Sequence, residues 1–138
     1  MKKLLPILSL LIIISCSKEI QLDQLVERNG LSYEVNNEKP FTGSTLSYHP
    51  NNQLESRFEY KNGLRDGLSE SFHNNGNLWQ KGNYKDGKKN GLEEHFYEDG
   101  SLSIKQYYQD GKKTGLHEYF LNNGNLWKKE NYQDGKKK

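Results

Sequence analysis

The side chains of this chain that could do chemistry are few and widely spread. There are four histidines, His49, His73, His95 and His117, and one cysteine, Cys16, so no disulfide framework and no thiolate pair for a metal can form within the chain. Each histidine falls on the first strand of a different expected hairpin, with an intervening strand at about 4.8 Å per step, so a shared metal is not expected and the four are read as solvated surface side chains. Carboxylates such as Glu70, Glu93 and Glu94 lie in strand-like runs with no pocket indicated around them. The Asp-Gly-Lys-Lys stretches at 86–89, 110–113 and 134–137 set lysines after a glycine, as phosphate-cradling loops do, but no helix follows to aim its N-terminus at an anion. They read as tight turns, Asp favouring the bend and Gly supplying positive φ. Motifs of the GxSxG, HExxH and GxxxxGKS types do not occur. No catalytic residue, metal site or cofactor is therefore assigned, and the chain is not expected to be an enzyme.

The elements that carry these residues repeat. Tyr84–Gly91, YKDGKKNG, returns as Tyr108–Gly115, YQDGKKTG, and opens again at Tyr132. Glycines at 43, 67, 91 and 115 keep a period of 24, as do Leu54, Leu78, Leu102 and Leu126, and Tyr60, Tyr84, Tyr108 and Tyr132. The units cut as 40–64, 65–89, 90–113 and 114–137, each a β-hairpin around a turn such as Asn74-Asn75-Gly76, with Asn52 standing in for glycine in the first. An atypical capping hairpin is expected over 25–39, around Asn29-Gly30, and 16–24 reads as a tether. The fold expected is all-β: an elongated, single-layer antiparallel β-meander of hairpin repeats forming one curled sheet. Because the period is even, even-numbered residues are expected to share one apolar face throughout, among them Leu46, Phe58, Tyr60, Phe72, Tyr84, Phe96, Ile104 and Phe120.

On that reading the odd-numbered face is polar and carries the candidate binding surface. Arg57, Lys81, Lys105 and Lys129 form a cation column with Trp79, Tyr97, Tyr107, Tyr119 and Trp127 beside it, a combination suited to a glycan, an anionic headgroup or a protein. A second basic line, including Lys88, Lys112 and Lys136, runs along the connector edge, where it could lie against anionic lipid. Net charge gives no support to one partner class: removing Lys2 and Lys3 with the N-terminal segment leaves 18 basic against 18 acidic residues, so only local patches could argue for such a partner and no nucleic acid is expected. A monomer is expected.

Residues 1–15 have the geometry of a signal peptide, two lysines followed by an apolar run over 4–14 that is shorter than the roughly 20 residues needed to span a bilayer. Ile13, Ile14, Ser15 and Cys16 resemble the lipobox of bacterial lipoproteins. That resemblance implies acylation of Cys16, anchoring in the bacterial cell envelope, and, with Ser17 next, the outer membrane of a diderm. The YxDGKxxG signature, the following GLxExF run and the NGNL turn resemble the MORN repeat, and more closely the bacterial variant often labelled an antitoxin component of the YwqK type. RNGLxY and KPFTG, at 28–33 and 39–43, look like the leading segment of the same proteins. The resemblance implies a non-enzymatic, lipid-anchored module that binds or scaffolds a protein or envelope partner, or alternatively an antitoxin-like protein that neutralises a toxin by binding it.

Overall fold

The computed structural model describes residues 18–138. Cys16 and the segment 1–15, read from the sequence as a signal peptide, lie outside the described residues. After β1 (Glu19–Gln21) and a single 3-10 turn (Leu22–Gln24), β2 (Leu25–Arg28) and β3 (Leu31–Glu34) pair with each other as a separate two-stranded sheet. Then come the hairpins: β4 (Gly43–Tyr48) with β5 (Leu54–Lys61), β6 (Leu64–Phe72) with β7 (Leu78–Lys85), β9 (Gly91–Phe96) with β10 (Leu102–Gln109), and β11 (Lys112–Phe120) with β12 (Leu126–Gln133). The two-residue strands β8 (Lys88–Lys89) and β13 (Lys136–Lys137) finish connectors. Sequential neighbours pair antiparallel along the array, β1 adds to β4 in parallel, and the path stays open from β1 to β13 instead of closing into a barrel.

Two turn chemistries alternate along this meander. At the hairpin tips a three-residue loop ends on a left-handed residue, Asn52 (φ 64°) in the first unit and Gly76 (φ 86°) in the second, and the Gly76 amide donates to the His73 carbonyl at 2.8 Å. At the connectors both central residues are left-handed, as at Asp86 (φ 48°) and Gly87 (φ 79°), which is the type I′ geometry whose twist matches that of the flanking strands. Aspartate thus does more than favour the bend, since it adopts positive φ itself.

The expected alternation fails, and the cause is one residue per hairpin. In β7, Leu78 pairs with Phe72 and Gln80 with Ser71, leaving Trp79 as an unpaired bulge. Glu55, Ser103 and Trp127 are the equivalent bulges in β5, β10 and β12. One extra residue inverts the side-chain phase, so odd residues of the first strand share a face with even residues of the second. A further slip near each connector, where Phe58 faces Ser69 but Tyr60 faces Arg65, adds two residues and leaves the phase unchanged. The continuous even-numbered apolar stripe therefore does not exist. Leu46 pairs with Arg57, on the face opposite Phe58, and Leu116 and Leu126 are exposed.

Among the described residues, the apolar core is confined to the N-terminal end. Ile20, Phe41 and Tyr60 form its buried centre, with Leu25 and Phe58 packed against it and the Phe41 and Tyr60 rings edge to face at 5.8 Å. Residues 19–24, read from the sequence as a tether, are part of the fold, and β1 brings Ile20 to this cluster. The β2–β3 hairpin is tied down by backbone bonds, Ser32 to the Gly63 carbonyl at 2.8 Å and Phe41 to the Ser32 carbonyl at 2.9 Å.

Candidate binding surface

The register sorts the polar residues onto two faces. On the outer face one row runs Leu46, Arg57, Glu70, Lys81, Glu94, Lys105, Glu118, Lys129. The cation column foreseen from the sequence exists, but a glutamate stands beside each member on the neighbouring strands. Lys129 lies 3.2 Å from Glu118 and Lys81 4.0 Å from Glu70, while Arg57 reaches Glu19 at 3.7 Å. The row is an alternating-charge ladder, and so supplies register more than attraction for an anion.

The aromatic candidates are divided between locations. Tyr107 shares the outer face with Lys105 by alternation. Tyr119 is on the inner face, where its hydroxyl donates to Glu130 at 3.1 Å. Tyr97, at a hairpin tip, donates to the Phe120 carbonyl at 2.8 Å. Trp79 borders an inner-face hollow and is 47% exposed, and Trp127, two repeats on, is 67% exposed. The nine candidates are therefore not brought together as one patch.

The inner face carries the chemistry that sequence reasoning missed. Its middle row runs Thr45, Phe58, Ser69, Gly82, Glu93, Gln106, His117, Glu130, and all except Phe58 are buried although, among the described residues, no second layer covers them. The cover comes from same-face neighbours. Tyr84, Tyr108 and Tyr132 alternate with Arg65, Lys89 and Lys113 along the connector side, and each cation sits over the tyrosine of the next connector, at 5.5, 5.0 and 5.0 Å. Sequence carries a signal for this ladder, since a cation follows each of Tyr60, Tyr84, Tyr108 and Tyr132 at a fixed offset across the type I′ turn.

Glu93, 2% exposed, is held by three partners: Lys89 Nζ at 2.5 Å, His95 Nε2 at 2.8 Å and the Gln106 amide at 2.7 Å. Burial alone would raise its pKa, but the hydrogen bonds from His95 and Lys89 outweigh it and bring the carboxyl down to about 2. Gly82 lies beside it, where a Cβ would come into ordinary contact with the Glu93 side chain at 3.4 Å. Glu130 repeats the arrangement with Lys128 and Lys137, both at 2.7 Å, which hold it well below the usual carboxylate range. Burial, with the Glu130 carboxylate adding to it, pushes the Tyr119 hydroxyl up to about 12.

The histidines are not solvated surface groups. His117 is fully buried between Tyr132 and Tyr108, with ring centroids at 4.5 and 6.2 Å. His49 and His73 reach across to the next hairpin, where each Nε2 donates at 2.9 Å to the carbonyl of Phe72 or Phe96. Tyr97 makes the same bond one repeat on, so this column stitches neighbours together at the tips. Among the described residues no group of three or more His, Cys, Asp or Glu side chains is arranged to hold a metal ion. The MORN repeat variant family matches the chain four times, over residues 41–62, 65–86, 89–110 and 113–134. No curated protein gives a significant match.

Proposed function

The chain belongs to the MORN repeat variant family, and from that premise we propose that it is a non-enzymatic, lipid-anchored repeat module that binds or scaffolds a protein or envelope partner. The observation that carries this reading is the exposure of Trp79 and Trp127 on the sheet, where the neighbouring cations Lys81 and Lys129 are paired with Glu70 and Glu118. Large exposed aromatics on a rigid platform with satisfied neighbours suit recognition, since they bury area on binding at little cost in ordering. Anchoring rests on the lipobox-like residues before Cys16, and the location proposed is the bacterial cell envelope, the outer membrane in a diderm. Two or three acyl chains at about 0.8 kcal/mol per buried CH2 would hold such a domain on a membrane essentially permanently.

Crosslinking and pull-down from membranes tests the reading. Wild type should recover a discrete partner that Trp79→Ala/Trp127→Ala loses, and equal recovery by both would overturn it. Neutralisation of a toxin is the narrower form of the same proposal, supported by the likeness of the DGKK and GLxExF signatures to antitoxin-labelled proteins. It is selected if the recovered partner arrests growth when expressed without this chain.

A further inference from the structure

We propose that the hollow on the inner face of the first two repeats is a binding site for a neutral sugar ring. The hollow, of about 330 Å³, exists because of what one sheet row omits. That row runs Ser47, Ser56, Ser71, Gln80, His95, Ile104, Tyr119, Lys128. Three adjacent strands carry serine where the later strands carry side chains large enough to fill the same space. The apolar side chains of the lining are Phe58 and Leu22, the latter from the 3-10 turn that residues 22–24 form at the sheet edge, and His49 also lines the hollow, its Nε2 bonded to the Phe72 carbonyl at 2.9 Å. Trp79 closes one side, half exposed, with its indole tilted against His73 at 6.4 Å between centroids, which holds the ring in place.

The polar lining selects the ligand. The Ser47 hydroxyl is bonded to Ser56 Oγ at 2.7 Å and to the Glu55 carboxylate at 3.0 Å, so the floor is a short relay ending on an anion. Glu55 is the one carboxyl side chain in the lining, and no lysine or arginine accompanies it, which disfavours a phosphate or carboxylate ligand on Coulombic grounds. An aliphatic side chain would strip water from Glu55 and three hydroxyls without replacing its hydrogen bonds. A pyranose meets both requirements, because its C–H face stacks on an indole while its hydroxyls donate to a carboxylate and exchange bonds with serines. The volume is at the small end of ligand sites and suits one ring, with the chain of an oligosaccharide leaving through the open side. The site does not depend on Cys16 or on a protein partner, so its failure and that of the scaffold reading are separable.

The chain has two tryptophans, so Trp127→Phe leaves Trp79 as the sole indole reporter at the hollow. Full-length Trp127→Phe protein is titrated with chitotetraose, cellotetraose and maltotetraose while tryptophan emission is followed. At least one should give a saturable shift. In the same background Ser71→His and Ser56→Ile install the side chains that the row already carries at His95 and Ile104, and each should weaken binding at least about ten-fold. Circular dichroism melts establish that the filled variants fold, and Glu55→Gln, an exposed change, gives an independent loss of affinity should either fail. No saturable response to any of the three sugars would overturn the proposal, as would unchanged binding in folded Ser71→His protein. A response to tetralysine in place of the sugars would also overturn it, by assigning the hollow to a cationic side chain.

Discussion

A carboxylate that is 2% exposed within a single-layer sheet is sustained by its immediate partners, and Glu93 shows the cost of removing them. Its pKa falls from an ordinary 4.5 to about 2 on folding. Because the folded value is the lower one, the stabilisation is fully present above about pH 4.5 and is lost as pH falls toward 2. Glu93→Gln should cost about 2–3 kcal/mol at neutral pH, with the melting temperature then declining less steeply than in wild type between about pH 5 and 2. Parallel acid slopes in thermal melts would contradict this. Phe41, 3% exposed, is the residue on which the apolar cluster turns. Phe41→Ala should cost about 3–5 kcal/mol, whereas Phe96→Ala, removing a partly exposed ring from a central strand, should cost clearly less. Denaturant melts giving equal losses would place the core elsewhere.

Each hairpin is held by its turns, its bulge and its tip contacts to the next hairpin. At Gly87, φ of 79° strains any residue with a Cβ, and that Cβ would meet Leu64 Cδ2 at 3.3 Å. Gly87→Val should destabilise by about 1–3 kcal/mol, while Lys85→Val, on the flanking strand and exposed, should be near neutral. Equal effects in urea melts would mean that turn conformation is not limiting. Because bulge and slip recur every 24 residues, deleting 90–113 joins Lys89 to Thr114, reproduces the native junction after Lys113, and should leave a folded, shorter array. Deleting 91–113 retains one extra residue and inverts the faces of everything beyond, so its melting temperature should be markedly lower. Matching melts for the two deletions would refute the repeat register derived from the pairing.

For the molecule as a whole, charge pairing decides which surface can meet an anionic partner. On the outer face Lys81, Lys105 and Lys129 alternate with Glu70, Glu94 and Glu118, and exposed pairs of this kind are worth about 0–1 kcal/mol each. Lys88, Lys112 and Lys136 run along the connector edge and are exposed. Changing the edge triple to Gln should therefore reduce retention on anionic liposomes at low salt more than changing the outer triple does, and added salt should erase the difference. The reverse order would return the outer face to candidacy. Cys16→Ser should abolish labelling by an alkyne fatty acid, and continued labelling of that variant would show that the anchor is not at this thiol.

What the sequence determined by itself was everything local. The 24-residue period, the hairpins, the tip and connector turns and Asn52 in place of glycine were legible because each rests on the conformational preferences of a few adjacent residues. The tertiary structure decided which way side chains point. Bulges at Glu55, Trp79, Ser103 and Trp127 fall on three residue types, so no single type marks them, yet each inverts the phase of the strand that follows. From that inversion follow the glutamates between the cations, the burial of Glu93 and His117, the division of the aromatic candidates and the serine-lined hollow. Register is settled by pairing energies summed over whole strands, and in a sheet with no second layer burial depends on which neighbours on the same face fold over a residue.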